Sequence, residues 1–289
     1  MPNEYFSNNM TKSPLRYPGG KSKGISFLSQ FIPPFNELRE VFFGGGSLSF
    51  YCVQNFPEKK IIASDLNYEL YCFWQQLKTN NKQLIQQVKA VYNQWKPDGN
   101  GKDLFQEIVA RRSSNLSELQ RAVDFFVLNR ITFSGVVDSG GFSKGSFEGR
   151  FTQTSIDRLE KAAWAIRHID FYCEDFSFLI DKKGKDVFLF LDPPYYSATK
   201  SKLYGKNGML HLQFEHEKLY NHLQKTQHRW LMTYDNSPYI RELYKNYYQL
   251  SWSLQYGMRN ATSEEGNELL ISNYNILEMK ENKSNYSLF

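Results

Sequence analysis

Residues 38–65 read LREVFFGGGSLSFYCVQNFPEKKIIASD, and the order of features within them decides the fold. The apolar run at 38–43 predicts a short buried strand. GGGS at 44–47 is a glycine turn, and LSFYCVQNF after it has helical character. KIIAS at 60–64 predicts a second strand, which ends at Asp65. Strand, glycine turn, helix, strand, acid is the grammar of a nucleotide-type α/β half. The turn is neither GxGxxG nor a Walker loop, since no GK[ST] follows it. Its glycines let a ligand approach the backbone closely and permit positive φ.

The pattern extends outward from there. Upstream, residues 13–31 open with the Pro/Gly turn SPLRYPGGKSK and continue as an amphipathic run. Downstream, a helical pattern resumes at Glu69. From about 75 to 130, Gln, Leu, Lys and Val recur at helical spacing, broken by KPDGNG at 96–101. Residues 134–152 hold five glycines and several aromatics and predict a long loop or hairpin outside the core. Helical spacing returns at 155–168. Strand signals return at 169–173, 186–191 and 229–234, and 247–256 with 268–276 predict a closing antiparallel pair. The expectation is one α/β sheet domain, residues 1–74 and 166–289, interrupted by a mostly helical insert, residues 75–165.

Composition narrows the class. The 289 residues are 41 % hydrophobic, 16 % aromatic and 22 % charged, too apolar for a disordered chain. No apolar run approaches the roughly 18 residues of a membrane span, and the N-terminus has no apolar signal region. Cys52, Cys72 and Cys173 lack CxxC spacing, which argues against a disulfide scaffold and a cysteine zinc site. A reducing, cytoplasmic setting is expected. The five histidines have no HExxH or other ligand spacing, so no metal is expected, and His211 and His216 read as surface residues. Of the formal net charge of +5, +4 falls between Gln75 and Lys161, a bias that suits a nucleic-acid face without demanding one.

The strongest chemical signal is Asp192-Pro193-Pro194-Tyr195, directly after the apolar strand VFLFL. Two prolines make a stiff corner with no backbone donors. Methylation of a planar exocyclic amine wants such a corner. The Asp192 carboxylate and the Pro193 carbonyl can accept from the two N–H groups and draw the nitrogen toward tetrahedral geometry. Tyr195 offers a stacking face to a flipped base. Acceptors placed before the transition state are the effective ones. The bland alternative is a proline-rich turn after a core strand. Asp65, at the next strand end after the glycine turn, can accept both hydroxyls of a ribose. Arg16-Tyr17-Pro18-Gly19-Gly20-Lys21 supplies an aromatic face and a cation, Lys21, for a cofactor carboxylate. Asp175, at a further strand end, can accept from an adenine amino group. Gly44, Asp65, Asp175 and Asp192 all fall at predicted carboxyl ends of strands, where open α/β sheets bind ligands.

In these residues the chain resembles the DNA adenine-N6 methyltransferases of the alpha group, which includes the GATC-methylating Dam enzymes. The resemblance runs through RYPGGK, FGGGS, SDLN, LNR at 128–130, CEDF and DPPYY to NELLISNY at 267–274, with the glycine-rich half first. It implies a Rossmann-like methyltransferase sheet, a DNA-recognition insert and S-adenosylmethionine as donor. Tyr17, Lys21, Asp65 and Asp192 would contact the donor, with Phe43 and Asp175 as additional contacts. Asp192, Pro193, Pro194 and Tyr195 would hold the target adenine. Segment 134–152 would read bases, and Arg16, Arg130, Lys144 and Arg150 would contact DNA. The partner would be double-stranded DNA, the enzyme a monomer of a restriction–modification system or a phage, with a cognate endonuclease as a possible companion. Tyr17 stands where the GATC enzymes commonly have tryptophan, and VVDSGGFSKGSFEGRF does not look like their reading hairpin. The alternatives left open are an adenine methyltransferase acting on RNA, transfer to cytosine N4 or a glutamine amide, a non-catalytic DNA-binding protein, and a dinucleotide oxidoreductase, which leaves the DPPY corner unexplained.

Overall fold

A computed structural model describes residues 11–197, 214–253 and 268–279. Seven strands form one sheet: β1 (Glu37–Glu40), β2 (Lys60–Ser64), β3 (Ile169–Tyr172), β4 (Val187–Leu191), β5 (Arg229–Asp235), β6 (Tyr248–Trp252) and β7 (Glu268–Ser272). Their order is β3-β2-β1-β4-β5-β7-β6. The first five neighbours run parallel, and β7 is antiparallel to both β5 and β6. The order reverses at β1, so the β1/β4 junction is the topological switch point where such sheets take ligands.

Side-chain alternation sends apolar residues to both faces. Leu38, Ile61, Phe188, Phe190 and Leu270 join the core on one face. Ile62, Leu189, Leu191, Met232 and Ile271 join the core on the other. Every residue of VFLFL is buried. This explains why β4 reads as a continuous apolar run rather than an alternating one.

After α1 (Ile25–Leu28), before β1, and α2 (Ser47–Asn55), between β1 and β2, the chain between β2 and β3 builds α3 (Tyr68–Thr79), α4 (Asn81–Trp95), α5 (Gly101–Arg111), α6 (Glu118–Ile131), α7 (Lys144–Arg150) and α8 (Gln153–Ile166). They bury Trp74, Leu84, Phe126 and Leu159 in the same apolar cluster as one face of the sheet. The Asn67 side chain caps α3 by accepting from the backbone N–H groups of Glu69 and Leu70.

Segment 134–152 is a loop only in its first half; its second half is not the exposed loop or hairpin expected from its glycines. One isolated antiparallel bridge, Thr132 to Phe142, closes a short loop, and α7 follows. Phe147 and Phe151 are buried in the core. The reason lies in partners distant in sequence. Ser143 caps the start of α7. Lys96, from the KPDG turn, donates to the carbonyls of Phe147, Glu148 (3.0 Å) and Phe151 (2.8 Å) at its end. A lysine on terminal carbonyls complements the helix dipole.

His216 also departs from its expected surface position. It opens the helix His216–Lys225, is 9 % exposed, and hydrogen-bonds through Nδ1 to the Tyr234 hydroxyl. The rings of Tyr196 and Phe214 pack edge-on against it. His211 lies outside the described residues. Among the described residues, no helix is long and apolar enough to cross a membrane.

Candidate active site

A cavity of about 360 Å³ opens over the carboxyl ends of β1 and β4. The glycine turn, Asp65, Asp175 and the Asp192–Tyr195 corner all line it, so the structure brings together the strand ends singled out in the sequence.

The turn is held by its neighbours. The Gly44 N–H donates to Asp65 Oδ2 at 2.8 Å, and its carbonyl accepts from Trp74 Nε1 at 3.1 Å. Gly44 has φ +49°, and a Cβ there would stand 2.7 Å from the Tyr17 ring. Glycine is required on both counts. Tyr17 therefore lies over the turn and walls the cavity. Phe43 also lines it, but its ring is 2 % exposed and packs on Trp74 and Phe171.

Asp65 accepts from Asn67 N–H through Oδ1 at 3.0 Å and from Gly44 N–H through Oδ2. Burial, with help from the charge of Asp138, outweighs these bonds and pushes its carboxyl up to about 6. Asp175 caps α9 (Phe176–Asp181) by accepting from Ser177 N–H at 3.1 Å, and Lys218 lies 3.7 Å away. Beside it Phe42, Phe176 and Phe214 meet ring to ring at 5.6–5.9 Å and form an apolar wall of the cavity.

Lys21 does not stand free at the cavity wall as the sequence suggested. It is 3 % exposed, and its Nζ lies 2.7 and 2.8 Å from the two Asp192 oxygens and 2.8 Å from the Gly19 carbonyl. Thr233, on β5, donates to Asp192 Oδ1 at 2.7 Å. RYPGGK and DPPY, far apart in the chain, are thus joined by an ion pair. The lysine also sits 5.1 Å from the Tyr195 ring centroid.

Glu40, at the end of β1, went unread in the sequence because it looks like any polar residue in a strand. It lines the cavity, is 3 % exposed, and accepts from the Ser49 backbone N–H at 2.9 Å. Burial, reinforced by the charge of Asp192, pushes it up to about 8. It is mostly protonated at neutral pH.

The expected DNA contacts divide. Arg16 is half-buried and donates to Ser146 Oγ at 3.3 Å. Arg150 is exposed, and Lys144 is the most open, at 83 %. Arg130 is buried, 4 % exposed, with Nε lacking a hydrogen-bond partner. Burial and the charges of Arg16, Arg158 and Arg150 push its guanidinium down to about 9. Asn129, just before it, binds Arg16 twice: Oδ1 accepts its N–H and Nδ2 donates to its carbonyl, each at 2.9 Å. Nδ2 also reaches the Gly135 carbonyl at 3.0 Å. This clamp is what LNR does for RYPGGK, a role the sequence gave no sign of. Phe133, 72 % exposed on the same loop, is a further residue that sequence reasoning missed.

A parallel sheet closed by an antiparallel β7, with a glycine turn, acids at successive strand ends and a DPPY corner over one cavity, defines the methyltransferase class. The chain belongs to the D12 class N6 adenine-specific DNA methyltransferase family, which it matches over residues 17–258. It is similar to the Type II methyltransferase M.MjaIII of Methanocaldococcus jannaschii, 24 % identical over 65 % of this chain and 70 % of the relative. It is similar to the Type II methyltransferase M.CviBI of Paramecium bursaria Chlorella virus NC1A, 24 % identical over 90 % and 98 %. It is also similar to the DNA N-6-adenine-methyltransferase of Escherichia phage P1, 26 % identical over 81 % of this chain but 31 % of that longer protein. The chain is an adenine-specific DNA methyltransferase.

Proposed function

We propose that the chain transfers a methyl group from S-adenosylmethionine to N6 of an adenine turned out of duplex DNA, with Asp192 to Tyr195 holding the base. The observation that carries this reading is the meeting of the glycine turn and the DPPY corner across one cavity. Charge supports the donor. Six acidic residues line the cavity; Glu40 is mostly neutral, which leaves five carboxylates, and among the described residues the one lining lysine, Lys21, is already paired with Asp192. Such a field favours a ligand of net positive charge, which a sulfonium and an ammonium provide.

Asp65 would accept from the ribose hydroxyls. The donor's adenine would lie against the wall of Phe42, Phe176 and Phe214, with Asp175 at its amino group. Tyr17 would cover the donor, Phe43 would contribute backbone, and Lys21 would hold Asp192 in place. When bound, the donor supplies an electrophilic methyl carbon. Asp192 and the Pro193 carbonyl accept from the target N–H groups, so that the nitrogen lone pair faces that carbon. Pro194 keeps the corner stiff, and Tyr195 stacks on the base.

The insert, 75–165, would recognise the DNA. Arg16 and Arg150, with Arg158 beside them, would make a cationic patch suited to phosphates, and Arg130, buried next to them, adds its charge from below. Lys144 extends it. Turning a base out costs a few kcal/mol. Phe133 is placed to fill the gap in the stack, as apolar wedges do. Two relatives are named type II methyltransferases, which supports a restriction–modification setting with a cognate endonuclease. The phage relative supports a viral one. The enzyme would act as a cytoplasmic monomer. Labelled S-adenosylmethionine offered with duplex DNA, single strands and RNA tests the reading. Label in adenine of duplex DNA is expected, and label confined to RNA would refute it.

A further inference from the structure

Pro193 and Pro194 have no N–H, so the corner cannot fix itself with its own backbone donors. The structure holds it from the antiparallel edge of the sheet. Asp235, the last residue of β5, accepts from the Tyr196 N–H at 2.7 Å through Oδ1 and from the Ser197 N–H at 3.2 Å through Oδ2. Glu268, the first residue of β7, is the cross-strand partner of Asp235. Its Oε2 accepts from the Tyr195 hydroxyl. Thr233, two residues before Asp235 and on the same strand face, donates to Asp192. One end of β5 and β7 thus grips the corner at Asp192, at the Tyr195 ring and at the two peptides that follow.

Burying two carboxylates on adjoining strands, 5 % and 3 % exposed, is costly unless hydrogen bonds repay it. A sheet edge that needed only packing would carry apolar residues there. Both acids instead spend hydrogen bonds on the segment that faces the cavity. The para oxygen lies on the axis about which the ring turns, so a tie there fixes where the ring points and keeps it from swinging away, and a stacking platform works only where the base arrives.

We propose that Glu268 is a positioning residue for methyl transfer: through the Tyr195 hydroxyl it holds that ring in the place where it stacks on the target adenine, while Asp235 anchors the backbone beyond. The inference rests on the reading that Tyr195 faces the base. Single-turnover methylation of duplex DNA tests it, with donor affinity from calorimetry and melting temperature measured alongside. Glu268→Met keeps the volume and removes the acceptor, and Tyr195→Phe keeps the ring and removes the donor. Each is expected to slow transfer by about tenfold, with donor Kd held within about twofold. Glu268→Gln restores an acceptor and recovers most of the rate. The double variant Tyr195→Phe/Glu268→Met is no slower than the slower single, because one tie is lost once. A wild-type rate in Glu268→Met, a Gln variant as slow as Met, or losses that multiply would overturn the proposal. Should Glu268→Met fail to fold, a wild-type rate in Tyr195→Phe overturns it. Asp192→Ala separates the two readings. If that variant keeps transfer, the assignment of the corner fails; if it is dead while Glu268→Met runs at the wild-type rate, the positioning role alone fails.

Discussion

Removing Asp192 is expected to do more than stop catalysis. Its ion pair with Lys21 spans 2.7 Å, and the lysine is 3 % exposed. Two unit charges at that separation attract by about 6 kcal/mol at an effective dielectric near 20. Desolvation offsets much of this, and breaking a buried pair costs about 3–5 kcal/mol because the survivor stays buried. The Asp192 side chain keeps 21 % of its exposure, which places the expected loss at the lower end, about 3 kcal/mol. Urea unfolding of Asp192→Ala at pH 7 measures it. Lys21→Met/Asp192→Ala, which has no charge to strand, recovers most of the stability and stays inactive. A single variant as stable as the wild type, or a double variant no more stable than the single, would show that the pair is not the link between RYPGGK and DPPY.

Asp65 is held up to about 6, chiefly by burial. As pH falls through that value it takes a proton and loses its charge-assisted acceptor strength. Donor affinity by calorimetry should therefore weaken by about tenfold between about pH 7.5 and pH 5, an inflection that Asp65→Asn removes. Stability runs the other way: a carboxyl raised above its unfolded value favours the fold most on the acid side, and that contribution is lost as pH rises through about 6. Arg130→Met exchanges a buried, incompletely bonded cation for an apolar side chain. It should leave unfolding stability equal or higher. Arg150→Met, at an exposed cation, should lower DNA affinity and reduce the salt slope by about one, read by fluorescence anisotropy. Asn129→Ala leaves the Arg16 peptide without partners and should cost about 2 kcal/mol in urea unfolding.

The sheet was legible in the sequence because both of its faces are covered, so its strands read as apolar runs between turns. The glycine turn, SDLN, CEDF and DPPY located the cavity, since each follows or ends a strand. Pairings across the chain were not legible. Lys21 looks like a free cation until Asp192 is folded against it. The fate of α7 depends on Lys96, which no local pattern connects to it. Arg130 reads as a surface cation although it is buried among aromatic and basic neighbours, and His216 reads as a surface histidine although Tyr234 draws it in. Glu40 and Glu268 carry no motif. Their burial at strand ends is what sets them apart.

The central claim is that the Asp192 corner grips an adenine amino group while methyl is transferred to it. Nucleoside analysis of DNA from cells expressing the wild type or Asp192→Ala tests this most directly. The account predicts N6-methyladenine with the wild type and none above background with the variant. N6-methyladenine at wild-type levels from the variant, or N4-methylcytosine from the wild type, would contradict it.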